Sequence, residues 1–564
     1  MRKHFNLFHP HTKRVSMPKD IKTNEINSRY GVGVNTIYII SIFLVFLIAM
    51  GVVPRQLAFL IAALYLYFVI FQPLKHSLFL FARSIPFFIA LPITSGFDNF
   101  NTWRIVLFAM FLKWFITRTA SRRSPTNLRI FANLRIFRIK KWWKNYRVEC
   151  LGIILLFFAC LSLFVASDFF AGAKRVIYFA NLAMLFVVAS SLIKGEKEIF
   201  LPLCKNILIG GAIVLFIGYF QYISAYFIAP IEVFHHWWGE QISEGFYGKN
   251  WSEIVMNFGN TWFSYTGGSL KLRMFSTFPD SHSFPLYLLM LVPFLFALFL
   301  IKNRAGFVSE KKRTFIFLFF LNLALILSCT RGIWLSIIFP IIFAVFLIWR
   351  KIQPSLIRKI WSLSGAREII LIVAFSLLTF VLLFPLANSM FSIPQFGLEK
   401  TPGTEDALLK RFRTATSTEE TSNLGRIFIW KETFRSMAFR PFLGVGIGNF
   451  PVVLSQDVSL AKAGSSAHNL YLNVAAELGI FAMVVFLWFL FEIFKSAWIL
   501  FNKSEDLRLK IFGVGSCLFL FWVFGYSLTD AALFDERTFL MFMLLCGMII
   551  GLRRNINRGV EIQR

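Results

Sequence analysis

Runs of apolar residues dominate the chain and recur along its whole length. Segments such as "TIYIISIFLVFLIAMGVV", "CLGIILLFFACLSLFVAS", "GIWLSIIFPIIFAVFLIW" and "EIILIVAFSLLTFVLLFP" are almost wholly apolar. Each reaches about 18 residues, the length that an α-helix needs to cross roughly 30 Å of hydrocarbon, and about fourteen segments of the chain meet this criterion. The pattern therefore predicts an all-α fold, a polytopic membrane bundle of about 14 transmembrane helices.

Two long polar stretches interrupt the apolar pattern. The stretch 229–281 is rich in aromatic residues, and the stretch 388–467 is polar and charged. Loops longer than about 15 residues in a compact protein are usually functional or disordered. Within the second stretch, "GRIFIWKETFRSMAFRPF" has apolar residues at helical spacing, which predicts an amphipathic helix on the outer membrane face. Its apolar positions are Ile427, Trp430, Phe434 and Met437.

Lysine and arginine outnumber the acidic residues, and their distribution indicates the topology. The 59 Lys and Arg against 29 Asp and Glu give a net charge of +30. Seven basic residues precede the first apolar run, ten lie in 118–147, five lie in 350–367 and four follow Gly551. If the N-terminus is cytoplasmic, the order of the spans places all four clusters inside, as the positive-inside rule requires. We therefore expect both termini to be cytoplasmic, and we expect no nucleic-acid partner.

Span order and charge together predict how the chain is divided. The predicted order is a cytoplasmic tail (1–35), helices 1–4 (36–116), a basic cytoplasmic loop (117–148), helices 5–7 (149–228), a first outer loop (229–282), helices 8–11 (283–388), a large, partly helical outer loop (389–467), helices 12–14 (468–552) and a second cytoplasmic tail (553–564). The basic loop contains a near-duplication, "NLRIFA" and "NLRIFR". It suits either a solvated loop or a segment resting on anionic lipid, and we assign it no role.

The sequence gives little reason to expect a metal or a cofactor. The six cysteines lie in or beside apolar runs and form no CxxC pair. His235 and His236 are adjacent, but no HExxH spacing accompanies them. "GVGIGNF" resembles a GxGxxG motif without the strand before it that dinucleotide binding requires. We therefore predict no metal site and no cofactor.

His468 stands where the polar loop "SSAHN" meets an apolar run. Ser465 or Ser466 is expected to cap a helix and to place His468 in its first turn, where the helix dipole favours a neutral imidazole able to accept a proton. Asn469, Asn473 and Glu477 follow at intervals of four and predict one polar stripe along the helix. Polar side chains inside a span usually face a cavity or a partner. The alternative is a histidine bonded to loop backbone, with the stripe serving helix packing.

Three arginines in distant segments are predicted to lie on the same side of the membrane as His468. Arg331 stands between two spans at the outer face, Arg273 precedes the start of another helix, and Arg426 lies in the predicted loop helix. Asp280 and His282 are expected to be caps of the helix after Arg273. Several arginines beside a neutral histidine suit an anionic leaving group and a hydroxyl to be deprotonated. For Arg331, ion pairing with Asp530 or Asp535 is an equally good explanation.

The motifs in the second half resemble a known family. "GRIFIWKETFRSMAFRPFLGVGIGNF" followed by "AHNLYLNVAAELGIFAMVVFL", with "TRGIWLSIIF" upstream, is similar to the shared domain of bacterial O-antigen ligases and O-antigen polymerases, over roughly 273–487. The resemblance implies a multi-pass inner-membrane glycosyltransferase with a large periplasmic loop, working without a metal. It implies a donor glycan on undecaprenyl diphosphate, or a related polyprenyl diphosphate, and an acceptor hydroxyl on a glycan, lipid A core or protein, in contact with membrane lipid.

The resemblance also implies roles for particular residues. His468 matches the base that activates the acceptor hydroxyl, Arg426 matches an arginine at the start of the loop helix, and Arg273 and Arg331 match arginines that hold the diphosphate. We expect Asn469, Asn473 and Glu477 to order the helix that carries His468. Three alternatives remain: a polymerase of the same family, a flippase for lipid-linked sugars, and a scaffold without enzyme activity.

Overall fold

We describe the protein with a computed structural model. It describes residues 20–94, 98, 100–120, 136–257, 261–266, 269–299, 308–351, 366–398, 407–413, 421–456 and 466–562. Most of the basic duplication and Ser465, one of the two expected caps, lie outside these residues.

The described part of the chain is almost entirely helical. The helices are α1 (Asp20–Ala49), α2 (Ala58–Phe71), α3 (Leu74–Ser84), α4 (Thr102–Ala120), α5 (Ile136–Ser162), α6 (Phe169–Gly195), α7 (Phe200–Ser224), α8 (Ile231–Phe234), α9 (Ser243–Tyr247), α10 (Lys249–Asn257), α11 (Ser283–Phe299), α12 (Val308–Leu327), α13 (Arg331–Leu335), α14 (Ile338–Lys351), α15 (Ala366–Leu382), α16 (Phe384–Ser392), α17 (Ala407–Arg413), α18 (Thr421–Phe439), α19 (Leu470–Leu478), α20 (Ile480–Lys503), α21 (Leu507–Tyr526) and α22 (Glu536–Ile562). A π-helical segment, His235–Ile242, joins α8 to α9.

Strands are confined to two short antiparallel hairpins in the described residues. β1 (Ala90–Leu91) pairs with β2 (Phe100–Asn101), and β3 (Phe263–Thr266) pairs with β4 (Ser269–Leu272). In the second hairpin, Phe263 lies opposite Leu272, so that β4 ends directly before Arg273. The predicted all-α class is confirmed, and the first outer loop is a folded unit of short helices and a hairpin.

Seven helices of the described chain are long and apolar enough to cross a membrane. They are Asn145–Val165, Phe169–Gly195, Lys197–Ser224, Ile369–Ser392, Ile480–Lys503, Leu507–Tyr526 and Glu536–Ile556. Shorter apolar helices are Gly33–Ala49, Arg55–Phe71, Ser283–Phe299 and Arg331–Leu347. Two apolar runs are interrupted by a break in the helix, one between α13 and α14 and one between α19 and α20. The number of membrane spans, about fourteen from the sequence, therefore stays a prediction.

Close helix packing explains how the C-terminal helix reaches the core. In α22, "GMIIG" presents Gly547 and Gly551 to α6, where added β-carbons would come within 2.9 Å of the Ala189 Cβ and 2.8 Å of the Ser190 carbonyl oxygen. Small residues four apart let two helix backbones approach closely inside a membrane. Since α22 starts at Glu536, this packing fixes the chain segment before it at one end of the bundle.

The large loop contains a helix where the sequence predicts one, although its apolar residues do not gather on a single face. α18 covers the predicted segment, with Thr433 fully buried on one face and Phe428 and Phe439 exposed on another. Phe442, just after the helix, stacks on Phe481 at the start of the candidate span α20. The end of the large-loop helix is thus in contact with the start of α20.

Candidate functional site

The candidate site lies at one end of the helical bundle, which we call the site end. α12 ends there, α11 and α13 begin there, and α21 finishes there at Tyr526. The segment containing His468 is held against the end of α21, because the backbone N–H of Leu470 donates to the Ser527 carbonyl (2.8 Å) and the Tyr471 hydroxyl donates to the Phe524 carbonyl (2.8 Å). Segments far apart in sequence therefore meet at one place.

Arg273 is a buried cation at the centre of this end. It is only 4% exposed; its Nε donates to the Ser328 carbonyl (3.1 Å) and its Nη2 donates to the Thr330 hydroxyl (3.1 Å). Burial and the nearby Arg411 lower the pKa of Arg273 to about 10, so that the side chain is still protonated at neutral pH. These two hydrogen bonds fix a positive charge in place at the site end.

His282 lies among the positively charged side chains of the site, a position that the sequence did not predict. Its Nε2 is 3.5 Å from Nη2 of Arg273. Desolvation, followed by the charges of Arg273, Arg426, His468 and Arg411, lowers the pKa of His282 well below its usual value. Asp280 is the cap that the sequence predicts, since its Oδ1 accepts from the backbone N–H groups of His282 (2.8 Å) and Ser283 (2.7 Å). His282 was expected to be only a helix cap. It is instead a neutral group in the middle of the site.

Arg411 is a second residue that the sequence analysis missed. It belongs to α17, in the large loop, and its Nε donates to the carbonyl of Cys329 (3.4 Å). It interacts electrostatically with both Arg273 and His282. We name Arg273, Arg411 and Arg426 the arginine cluster. No local motif marks Arg411, because only the fold of the loop brings it to the bundle.

Arg426, Asp530 and His468 form the other side of the site. Desolvation raises the pKa of the Asp530 carboxyl group, and electrostatic interaction with His468 and Arg426 partly opposes that rise. Trp430, one turn after Arg426, donates from its indole N–H to the carbonyl of Ala467 (2.8 Å), which joins α18 to the residue before His468. From the sequence, Asp530 was expected only as an ion-pair partner of Arg331.

His468 does not occupy the first helical turn, as the sequence analysis expected. The helix begins at Leu470, and Asn469 is its N-cap, accepting from the backbone N–H groups of Tyr471 (3.0 Å) and Leu472 (3.1 Å). His468 precedes this cap and has φ = +46°, a left-handed conformation that is uncommon outside glycine. Asn469 is the N-cap because its side chain reaches the first free N–H groups of the helix.

The expected polar stripe divides into separate roles. The Asn473 side-chain oxygen accepts from the backbone N–H of Ala467 (3.2 Å), which holds the segment leading to His468. Glu477 instead accepts from the backbone N–H groups of Gly448 and Phe450 and lies near Arg175. Asn473 also bonds to the Glu477 side chain, so the two residues share one polar face of α19, which ends at Leu478 before the candidate span begins.

Glu477 anchors the loop "GVGIGNF" that resembles a nucleotide-binding motif. Gly444, Gly446 and Gly448 all have positive φ. The loop also binds the turn between α5 and α6, because Ile447 N–H donates to the Ser162 hydroxyl (3.1 Å) and Asp168 N–H donates to the Asn449 side-chain oxygen (2.7 Å). In this protein the glycines serve a tight structural connection.

The structure places Arg331 at the edge of the site. It is the first residue of α13, and a β-carbon on the next residue, Gly332, would come within 2.8 Å of the Tyr526 ring. α13 is therefore packed against the segment that leads to Asp530. Elsewhere, His236 pairs with Glu240 (2.5 Å), and among the described residues no group of three His, Cys, Asp or Glu side chains could hold a metal ion.

An apolar groove lies between α14, α20 and α21, with Phe494 and Trp498 at the depth of the middle and far part of α20 and Phe521 nearer the site end. It has a volume of about 570 Å³ and is lined by Phe339, Ile342, Phe343, Phe346, Phe494, Trp498 and Phe521. Tyr526, which interacts electrostatically with Asp530, Arg426 and Arg273, stands five residues after Phe521 on α21, about 7.5 Å along the helix axis. The Phe521 end of the groove is thus the end nearer the arginine cluster.

Comparison with known proteins agrees with the motifs. A family profile described as O-antigen ligase matches residues 315–487, under a third of the chain, and this stretch contains Arg331, Arg426 and His468. No curated protein matches the chain. The family indicates a membrane glycosyltransferase of the O-antigen ligase type, and with the candidate spans it indicates a multi-pass protein of the bacterial inner membrane. Residues 315–487 are thus similar to the O-antigen ligase family, in agreement with the resemblance that the motifs show.

Proposed function

We propose that this protein transfers a glycan from a polyprenyl diphosphate, such as undecaprenyl diphosphate, to an acceptor hydroxyl such as one of the lipid A core, at the periplasmic face. The observation that carries the proposal is the meeting of the arginine cluster with His468 and Asp530 at one end of an apolar bundle. Such a site combines anion binding with a proton acceptor, which are the two functions that this transfer needs.

His468 is the proposed general base. Its imidazole takes the proton of the acceptor hydroxyl as the hydroxyl oxygen attacks the anomeric carbon and the bond from that carbon to the diphosphate oxygen breaks. Attack opposite to the leaving group inverts the anomeric centre. Asp530 offsets the positive charge that His468 gains, since the two groups already interact electrostatically. General bases contribute roughly 10²–10⁴-fold to such reactions.

The arginine cluster, with Arg331 at its edge, is proposed to bind the diphosphate. The leaving group gains negative charge as the glycosidic bond breaks, and cations already in place stabilise that charge without having to reorganise. Arg273 is held rigidly by Ser328 and Thr330, so it offers such a fixed charge. His282, neutral between the arginines, supplies a hydrogen bond without adding a further charge.

The groove between α14, α20 and α21 is the proposed seat of the polyprenyl chain. Its lining is apolar throughout, which suits a branched hydrocarbon. Asn469 and Asn473 hold the backbone around His468, and Glu477 holds the glycine loop, so these three residues are proposed to position the base.

The test is transfer by the purified protein with the His468→Gln substitution. We expect transfer to fall by at least about 10²-fold, while binding of the polyprenyl diphosphate donor is retained. The matched control is His236→Gln, because His236 is exposed and, among the described residues, pairs with neighbouring side chains of its own helical segment. Full transfer by the folded His468→Gln protein would exclude the base assignment.

The glycolipids of cells that carry only the His468→Gln protein separate the related functions. Long glycan chains accumulating on the carrier would indicate a ligase, and single repeat units would indicate a polymerase. An unchanged profile together with impaired translocation of lipid-linked sugar would indicate a flippase and contradict the proposal.

A further inference from the structure

A second cluster of charged residues lies far from the site end, between α5, α20 and α22. Its arginines are Arg147 on α5 and Arg553 and Arg554 on α22. Arg553 stands 17 residues after the start of α22, about 25 Å along its axis. Ser496, its hydrogen-bond partner, stands 16 residues after the start of α20, about 24 Å along that axis. Since a hydrocarbon core is about 30 Å thick, this group lies near the membrane boundary opposite the candidate site. We call it the far-end cluster.

The far-end cluster has more positive than negative charge. Arg147 pairs with Glu492 (2.7 Å), Lys495 also approaches Glu492 (3.6 Å), and Arg554 pairs with Glu149 (2.5 Å). Arg553 donates to the hydroxyl of Ser496 (2.8 Å), which brings no compensating charge. Lys194 and Arg554 both lie over the ring of Tyr146, at 5.7 and 4.7 Å. Within the described residues, five cations thus share two carboxylates.

Two of the cations have hydrogen-bonding capacity left over. The Nε atoms of Arg147 and Arg553 are buried, and within the described part of the chain neither has a hydrogen-bond acceptor. A buried donor without an acceptor costs free energy, and the cost is larger for a charged group. An anion with several oxygen atoms would satisfy both donors and offset the excess charge.

The far-end cluster is open toward the apolar outside of the bundle. Lys495 is 42% exposed and lies 5.9 Å from the centre of the Phe491 ring, and Phe491 is itself 57% exposed on the apolar helix α20. At Tyr146 the backbone of α5 departs from helical geometry (φ = −123°, ψ = 26°). An anion that reaches the cluster therefore comes most directly from the lipid side.

We propose that the far-end cluster binds the phosphate of an anionic phospholipid in the leaflet opposite the candidate site. The head group accepts hydrogen bonds from Arg147 and Arg553, Lys495 adds an exposed charge, and the acyl chains lie along the apolar surface near Phe491. Basic pockets between membrane helices recognise anionic lipid in this way. The proposal does not depend on the proposed function, because it concerns different residues.

The experiment measures lipid binding to the purified full-length protein by native mass spectrometry. Diphosphatidylglycerol is titrated against phosphatidylethanolamine of matched acyl chains. The test variant is Arg553→Gln, because both carboxylates of the cluster keep a basic partner when Arg553 is replaced. The control is Arg118→Gln, since Arg118 likewise donates to a serine hydroxyl, that of Ser191 (3.2 Å). We expect the Arg553→Gln protein to bind diphosphatidylglycerol about five-fold more weakly, the effect of one basic residue at a membrane surface.

The control protein should bind diphosphatidylglycerol like the wild type, and phosphatidylethanolamine should bind weakly to all three proteins. Equal binding of the two lipids by the wild type, or unchanged binding by Arg553→Gln, would overturn the proposal. Displacement of the lipid by millimolar inorganic phosphate would assign the cluster to a soluble phosphate compound and would equally contradict it. A thermal melt of each variant without added lipid shows whether the protein is folded.

Discussion

At the scale of single residues, the candidate site concentrates unfavourable states that the surrounding structure holds in place. His468 has a left-handed backbone, Arg273 is a buried cation, and His282 is a neutral imidazole surrounded by positive charges. A left-handed conformation of a residue other than glycine costs of the order of 1–3 kcal/mol, and such strain occurs preferentially at functional sites. The hydrogen bonds of Asn469, Asn473 and Leu470 provide the constraint that holds His468 in this state.

Asp535 gives a prediction about pH and stability. Desolvation and the nearby Asp280 raise the pKa of Asp535 to about 7, whereas a carboxyl group of this type in an unfolded chain titrates near 3.9. Between about pH 4 and pH 7 the Asp535 carboxyl group therefore holds its proton more in the folded protein than in the unfolded chain, and its contribution to stability is lost as pH rises. We expect the melting temperature of the wild type in detergent to fall relative to that of Asp535→Asn over this range.

The Asp535→Asn substitution keeps the acceptor for the N–H groups of Arg537 and Thr538, so the N-terminal cap of α22 remains. Asp506→Asn is the matched control, because Asp506 caps α21 through the N–H of Arg508 but has an exposed side chain. If the melting temperature of Asp535→Asn depended on pH in the same way as that of the wild type, the raised pKa of Asp535 would be contradicted.

At the scale of elements, breaks in the helices position the site as much as the helices do. Gly479 separates α19 from α20 with φ = +88°, and an added β-carbon would lie 2.1 Å from the carbonyl oxygen of Phe442. The N–H of the next residue, Ile480, donates to the carbonyl of Pro441 (2.8 Å). This break turns the His468 helix away from the span and joins it to the end of the large loop.

Gly479→Ala should therefore destabilise the protein by about 1–3 kcal/mol, the cost of a backbone state that only glycine adopts easily. The steric contact adds to this cost. Thermal inactivation in detergent measures the effect. The control is Gly425→Ala, since Gly425 lies within α18 with no atom within 4 Å of an added β-carbon. Alanine is the better helix former by up to about 1 kcal/mol, so equal losses from both substitutions would contradict the role of the break.

The groove between α14, α20 and α21 gives a prediction that separates lipid binding from folding. Ile342 lines the groove and is 58% exposed, so Ile342→Trp should fill part of it. We expect KM for a donor with a full-length polyprenyl chain to rise roughly ten-fold, equivalent to losing about 50 Å² of apolar contact. A donor with a two-unit prenyl chain should show little change. Ile370→Trp, on an exposed apolar position of α15, is the control.

Equal effects of Ile342→Trp on both donors would mean that the substitution disturbs the protein and that the groove does not hold the chain. If the wild-type protein transfers glycan from neither donor, the proposed function fails before the groove is tested. In that case, cross-linking with a photoreactive polyprenyl phosphate still reports whether the chain lies at Phe343.

At the scale of the whole molecule, orientation in the membrane is the main prediction. The positive-inside pattern predicts that the site end faces the periplasm. Arg440, exposed after α18, is at the site end, and Asn502, exposed near the end of α20, is at the opposite end. In spheroplasts a membrane-impermeant maleimide should label Arg440→Cys, and should label Asn502→Cys only after the membrane is opened. The reverse pattern would place both termini outside.

Much of the fold could be predicted from local pattern, and parts of the site could not. The predicted helix of the large loop is α18, because apolar periodicity is a property of neighbouring residues. Arg411 and His282 were missed as site residues, because nothing in their local sequence separates them from a surface charge and a helix cap. The cap itself was assigned to the serines, since Ser466 and Asn469 are both good N-caps and only the packed loop selects one.

The sequence by itself determined the membrane class, the helical class and the family resemblance, because hydrophobic length and motif spacing are read along consecutive residues. Only the tertiary structure decided which charged groups meet. Asp530 lies 62 positions after His468, and Arg273 lies 138 positions before Arg411, yet each pair interacts electrostatically. Such pairs depend on how helices and breaks pack in three dimensions, since electrostatic interaction falls with distance in space and not along the chain.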